Sequence, residues 1–413
     1  MSAESKKSTT YCIQPFREIA MKMFSGDKLE TFWPCCMMPN PITTNRDPDV
    51  LKIKEVWKLT PQEMYDHPRM QELRHNLSNN IRDPACETCW HQEDRGLKSF
   101  RQWSNEAELY EKEDGLSIVD LTFSNVCNLR CRMCSPTSSN ELMIDHRYFE
   151  KNGLLPEVHK ITKRWGIIEQ AVRAVESPQW KWLLENTDKI KYVKASGGEP
   201  FYDKKMIKLM ERYIETGNAK NTILHFHTNA TLFDDKIIKI LNEFKKNDHV
   251  FSIDGMGKTY EYIRYPATFE QLETSINLYF KEVKNYNRIV PFAKIISAHN
   301  LLDTDKYIRW VRELPTEVGV QYGEIYDMDR GIAIKHLPVK LLKTARQRIE
   351  KYIYRDGSEE HSVINLLKMV DNAILYNKEN KSLIKAETEL FDKSRNQSYR
   401  DYLDPDLVEW LDS

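Results

Sequence analysis

The chain has 413 residues, enough for one large catalytic domain and a smaller one. Its 61 Lys and Arg balance 62 Asp and Glu, so overall charge gives no case for a nucleic-acid or membrane partner. No apolar run approaches the roughly 18 residues of a membrane span, and the polar opening MSAESKKSTT is not a signal peptide, so the expectation is a soluble, cytoplasmic protein.

Eight cysteines in such a chain point to metal or redox use in a reducing compartment rather than to disulfides. Five precede residue 90. Cys12 stands before an expected hairpin, Phe16 to Met23 and Leu29 to Trp33 around Ser25-Gly26-Asp27, which Pro34-Cys35-Cys36 closes. A helical stretch leads to Pro84-Ala85-Cys86-Glu87-Thr88-Cys89-Trp90. A C-x2-C pair with two distant cysteines suits a structural zinc knot as well as a cluster.

From Leu116 onward, β-rich runs alternate with helical patterns, the signature of a parallel sheet of βαβ units. Six runs are expected: Ser117 to Phe123, Ile190 to Ser196, Thr222 to Thr228, Val250 to Asp254, Ile289 to Ser297 and Val318 to Ile325. Helices are expected over Lys204 to Thr216, Asp234 to Phe244 and Phe269 to Val283. Six strands are too few for an eight-stranded barrel, so the fold class predicted is α/β, an open (β/α)6 barrel. A long insertion from about Asp145 to Lys189 separates the first two strands, and the tail from about Pro338 reads as helices alone. The domains expected are residues 1–110, 111–337 and 338–413, the first a small α+β cysteine-rich module.

Cys127, Cys131 and Cys134 follow the first strand in a C-x3-C-x2-C spacing. Three thiolates leave one iron of a cubane cluster unclaimed, and an open iron can do chemistry; a zinc site or three unconnected thiols are the other readings. Gly197-Gly198-Glu199-Pro200 follows the second strand, where glycines let backbone approach a ligand and a carboxylate can accept from an ammonium. His227-Thr228-Asn229 ends the third strand, Phe251-Ser252-Ile253-Asp254-Gly255 the fourth, and Tyr260-Glu261-Tyr262-Ile263-Arg264 comes shortly after. Strand-end Asn, Ser and Asp also commonly cap helices, and Arg264 could lie on the surface. Lys294, Ser297, Glu324 and Tyr326 stand at later strand ends, either toward a substrate or as structural residues.

These motifs resemble the radical S-adenosylmethionine (SAM) superfamily. The resemblance implies a [4Fe-4S] cluster on Cys127, Cys131 and Cys134. It places the methionine amine of SAM on Gly197, Gly198 and Glu199, and further cofactor contacts at Asn229, Ser252 and Arg264. Met133 stands where the family often has an aromatic near the adenine, a space that a polarizable thioether can fill. The amino-terminal cysteines, with Val56-Trp57 and Leu73-Arg74, resemble the twitch and SPASM auxiliary-cluster modules, although here the module precedes the barrel. Five cysteines can ligate one cluster but not two, so the twitch type fits, with Cys12, Cys35, Cys86 and Cys89 as ligands and Cys35 preferred to Cys36. Tyr399-Arg400 and Leu403 to Leu407 are similar to the endings of twitch-containing members. The resemblance implies hydrogen abstraction by a 5'-deoxyadenosyl radical from a peptide or protein, or from a small molecule, with an external donor such as flavodoxin or ferredoxin. A metal-stabilised binding protein without catalysis is the contrasting reading.

Overall fold

All six β-rich runs form strands, and two further strands join them. In chain order these are β1 (Glu18–Lys22), β2 (Ile118–Thr122), β3 (Tyr192–Ala195), β4 (Ile223–Thr228), β5 (Lys246–Asn247), β6 (Val250–Ser252), β7 (Ile289–Ile296) and β8 (Glu317–Glu324). The computed structural model describes residues 8–22, 32–37, 58–94, 96, 98–106, 115–122, 124–136, 138–155, 177–325, 330–353 and 357–413. The sheet order is β1-β2-β3-β4-β6-β7-β8, with β5 paired to β4, which is the expected α/β class. Two compact units divide the chain.

The first unit comprises Met1–Ser124, Val172–Ser196 and Lys205–His225. Here the first limb of the expected hairpin also pairs on its other edge. Glu18–Lys22 runs parallel to β2, with Ala20 opposite Asp120, and β2 runs parallel to β3. Of the hairpin there remains an antiparallel bridge between Ala20 and Trp33; residues 23–31 lie outside the described ones. The physical reason is the apolar row: Ile19 and Met21 continue the buried Val119, Leu121, Val193 and Ala195 along one sheet face. Around it stand the helices Pro61–Tyr65, opened by a Thr60–Glu63 capping box, and Pro68–Ser78, which buries Met70, Leu73 and Leu77. Of the segments likened to auxiliary modules, Leu73 is in this core and Arg74 donates to the carbonyls of Pro15 and Tyr65; Val56-Trp57 lies outside the described residues. Helix Lys204–Glu215 buries Met206, Leu209, Met210 and Tyr213, the apolar face expected of it.

The second unit comprises Asn125–Ala171, Gly197–Lys204 and Phe226–Ser413. Along β7 the alternate residues Val290, Phe292, Lys294 and Ile296 are buried, a half-covered strand of period two. Helices Asp235–Asn242 and Phe269–Glu282 start at Asp234 and Thr268, whose side chains accept from the amides of Ile237 and Gln271. The expected helical tail is present as Val339–Glu350, Gly357–Leu375, Lys381–Arg395 and Pro405–Asp412. Leu342, Leu366, Val370, Ile384 and Leu407 are fully buried in one apolar core of this tail. No helix among the described residues is long and apolar enough to cross a membrane.

Candidate cofactor and metal sites

Within the second unit the separate sequence motifs meet through backbone bonds. The Glu199 amide donates to the Val126 carbonyl at 2.8 Å and the Gly198 amide to Ser138 at 3.1 Å, which ties the glycine turn to the cysteine loop. Gly197 and Gly198 have φ of 80° and 61°. A side chain in that left-handed region costs about 1–2 kcal/mol, so the turn requires glycines. The Arg130 and Arg132 amides donate to Tyr265 and Ile263, on either side of Arg264. Asn128 Nδ2 donates to Thr231 Oγ1, and Asn229 Nδ2 donates to Asn128 Oδ1, which adds the end of β4.

The thiols of Cys127, Cys131 and Cys134 lie close enough to act on one another electrostatically, and Glu199 acts on Cys127. Burial pushes the Cys127 thiol well up, and Cys131 up to about 12 although the Arg264 cation pulls it down. Thiols held protonated by burial become ligands when a metal arrives, since coordination deprotonates them outright. Among the described residues no group of three or more His, Cys, Asp or Glu has the arrangement that holds a single metal ion. Four sulfurs on one zinc stand within about 4 Å of each other, from Zn–S bonds of about 2.3 Å.

Glu199 is 1% exposed. Burial raises its carboxyl to about 7, although the Asn229 amide (2.6 Å), Thr228 Oγ1 (2.7 Å) and the Phe201 amide (3.2 Å) all donate to it. An acceptor poised at this value can receive an ammonium. Arg264 is buried, not a surface residue; its Nε donates to Asp254 Oδ2 at 2.7 Å, and the pairing outweighs burial to hold the guanidinium charged. Ser252 ends β6 half-buried, and helix Gly257–Ile263 starts at Met256 without a side-chain cap, so neither Ser252 nor Asp254 serves as its cap. The Asn229 side chain is committed to Asn128 and Thr231, leaving its backbone amide on Glu199. Met133 packs against the tail core, and its carbonyl accepts from Arg330 Nη1 at 2.8 Å.

Lys294 does not stand at the accessible strand face. It shares the buried face of β7, donates to the Asp254 carbonyl at 3.0 Å and lies 4.4 Å from the Tyr307 ring centroid, a structural role; burial lowers it to about 8. Ser297 is fully buried with an unpartnered hydroxyl, Glu324 is half-buried, and Tyr326 lies outside the described residues. The sequence reading missed Tyr260. Its hydroxyl is fully buried without a hydrogen-bond partner in the electrostatic reach of Arg264, Cys131, Asp254 and Glu199. An orphaned donor near the Cys131 thiol, a poised carboxylate and a cation fits a site shaped for a polar cofactor beside a cluster.

Residues 121–295 match the family model described as the Radical SAM superfamily. The chain carries a radical SAM domain. Among solved structures, the chain is similar to native anSMEcpe with bound AdoMet, at 16% identity and TM-score 0.40, over 58% of this chain and 60% of that one. It is also similar to anSMEcpe with AdoMet and the Cp18Cys peptide, at 19% identity and TM-score 0.36, over 57% and 59%. A third is Streptococcus suis SuiB bound to the precursor peptide SuiA, at 12% identity and TM-score 0.37, over 80% and 72%. The chain spans about three fifths of the length of the anSMEcpe structures it matches. No curated protein matches it.

In the first unit, Cys12, Cys35, Cys86 and Cys89 line one small cavity with Phe100 and Arg101, and Cys36 is not among its lining residues. Cys12 feels Cys89, Cys35 feels Cys36, Cys12 and Cys86, and Cys86 feels Cys12 and Cys89. Burial raises all four, Cys12 to about 12. Arg101, bonded to Glu93 and to the Tyr11 carbonyl, lowers Cys12, Cys86 and Cys89. Four thiols around one small cavity are a set that could ligate a metal group.

Proposed function

We propose that this radical SAM enzyme uses Cys127, Cys131 and Cys134 to hold a [4Fe-4S] cluster, and Glu199 with the Gly197-Gly198 backbone to receive the methionine amine of SAM. The observation that carries the reading is the convergence of three neighbouring thiols, Cys127 buried and Cys131 and Cys134 half-buried, with a fully buried carboxylate raised to about 7. When bound, cluster and SAM supply a 5'-deoxyadenosyl radical that takes hydrogen from a substrate. The chain's own residues orient and exclude water: Arg264 offers its charge to a carboxylate while Asp254 fixes its fork, Ser252 stands ready for a ribose hydroxyl, and Met133 provides an apolar wall. Asn229 acts through its backbone amide, which sets the Glu199 carboxylate.

The four-thiol cavity supports a second, auxiliary cluster on Cys12, Cys35, Cys86 and Cys89, able to accept an electron from a substrate radical or to bind substrate. Such modules accompany peptide-modifying members of the superfamily that the motifs resemble, so the substrate proposed is a peptide or protein, with oxidation, crosslinking or epimerization as the outcome. An external flavodoxin- or ferredoxin-like donor supplies the reducing electron.

The test is anaerobic reconstitution with iron and sulfide, then dithionite and SAM, comparing wild type with the triple variant Cys127→Ala/Cys131→Ala/Cys134→Ala. The expected result is 5'-deoxyadenosine from wild type alone, with about eight irons falling to about four. About four irons falling to none, with zinc retained, would replace the auxiliary cluster by a zinc knot. A full, reducible cluster that yields no deoxyadenosine with or without peptide and small-molecule extracts would sink the catalytic reading in favour of a metal-stabilised binding protein.

A further inference from the structure

The strands of the first unit have a second face, opposite the apolar row, whose chemistry none of the steps above uses. Glu18 on β1 is fully buried, Asp120 on β2 is 5% exposed and Lys194 on β3 is 8% exposed. The register sets Ala20 beside Asp120 and Asp120 beside Lys194, so Glu18, Asp120 and Lys194 share one face. His225, half-buried on β4, stacks its ring on Tyr192 at 5.9 Å and belongs to the same face. Lys194 Nζ donates to Glu18 Oε2 at 2.7 Å. Glu18 Oε1 has no hydrogen-bond partner, and Asp120 makes no side-chain hydrogen bond or ion pair among the described residues.

Two carboxylates therefore face one ammonium, already committed to Glu18, and the His225 ring, which also acts on Glu18. Burial, and after the opposing pull of Lys194 the neighbouring Asp120 charge, raise the Glu18 carboxyl. A buried carboxylate with a free oxygen is costly until a donor of opposite charge arrives. We propose that this face is a subsite for a cationic nitrogen group, a protonated amine or a guanidinium, received by Glu18 Oε1 and Asp120. The Tyr192 ring beside them is already taken, by His225 stacked on it and by Lys194 Nζ at 5.8 Å from its centroid, so the carboxylates carry the recognition. An anion would meet two carboxylates and a lysine with no charge to spare. A divalent ion is disfavoured because no three His, Cys, Asp or Glu among the described residues converge as metal ligands. Glu18 also acts electrostatically on Cys12 and Cys35, so the subsite adjoins the cysteine cavity of the same unit.

The inference deepens the substrate reading and rests on the chain acting on a bound substrate. Its test is separable because it needs neither SAM nor turnover. The iron-reconstituted full chain is titrated by calorimetry with agmatine, with a blocked peptide carrying one central arginine, and with the same peptide carrying citrulline. Binding of the arginine peptide at least tenfold tighter than the citrulline peptide is expected. Loss of at least tenfold in Asp120→Asn, with recovery in Asp120→Glu, is expected too. Agmatine binding as well would show that a small free cation suffices; binding of the arginine peptide alone would show that the cation is carried by a peptide. Equal affinity for arginine and citrulline peptides, or no binding by either arginine peptide or agmatine, would overturn the proposal. Deoxyadenosine release from wild type, assayed separately, reports on the catalytic reading by itself.

Discussion

Arg132, 1% exposed in the cysteine loop, donates from Nη2 to Asp392 Oδ1 at 2.5 Å, and through this pair the tail helix Lys381–Arg395 grips the loop that carries the three thiols. Two further buried pairs act in parallel: Arg330 with Glu387, and Arg395 with Asp145. Arg330 also donates to the carbonyls of Arg132 and Met133, just ahead of Cys134. Removing one partner of such a pair leaves an uncompensated buried charge, which costs about 3–5 kcal/mol. Asp392 also accepts from Tyr262 Oη and the Tyr399 amide. Asp392→Ala should therefore lose about that much stability in urea denaturation, and Asp392→Asn clearly less. Equal midpoints for Asp392→Ala and wild type would show that the tail does not hold the loop.

Glu199 gives a pH signature. Its carboxyl is raised from 4.5 to about 7 in the folded chain, mainly by burial, so the folded state holds its proton more tightly than the unfolded state does. The stability this contributes is complete below about 4.5 and is lost as pH rises through about 7, amounting to up to about 3 kcal/mol. Cluster-free protein should thus unfold more readily at pH 8 than at pH 5.5, and Glu199→Gln should flatten that slope. SAM affinity should run the opposite way, strengthening as Glu199 ionises above about 7. Glu199→Gln should weaken SAM binding about 10- to 100-fold, the worth of a charge-assisted hydrogen bond. A variant with wild-type SAM affinity across pH 6 to 8 would remove Glu199 from the cofactor site.

The adjacent thiols Cys35 and Cys36 separate cleanly by iron content. Cys35 lines the four-thiol cavity and Cys36 does not. Cys36→Ala should keep about eight irons per chain after reconstitution, while Cys35→Ala should fall toward about four and lose the auxiliary signal in electron paramagnetic resonance. The reverse pattern would exchange their roles.

The strands and the anchoring motifs were legible because each is local: alternating β-branched runs mark β2, β4 and β7, and Cys127 to Cys134 and Gly197 to Pro200 are contiguous. Partners far apart in sequence were not. Nothing around Arg132 announces Asp392, and nothing in Glu18 to Lys22 shows that it pairs with Ile118–Thr122 as well as bridging to Trp33, because an apolar alternation specifies a face and not a neighbour. Lys294 stayed open between a substrate-facing and a structural role for the same reason: a lysine at a strand end looks accessible until the pleat sets it beside Phe292 and over Tyr307. Tyr260 carried no signal, since an orphaned hydroxyl is visible only once its surroundings are known.

Gly198 and Gly217 allow backbone strain to be told from cofactor contact. Both hold left-handed conformations, with φ of 61° and 73°, and a Cβ on Gly217 would meet nothing within 4 Å. Alanine at either position should cost about 1–2 kcal/mol through the backbone of an L-residue alone, and at Gly217 no clash adds to it. Gly198 differs in its setting: its amide donates to Ser138 and the next amide, that of Glu199, donates to Val126 in the cysteine loop. A turn that relaxes at Gly198 shifts the carboxylate as well as destabilising the fold. Gly198→Ala should therefore weaken SAM binding at least tenfold where Gly217→Ala, of similar thermal stability, leaves it within about twofold. If the two variants lose SAM affinity equally, the glycine turn serves the fold and not the cofactor.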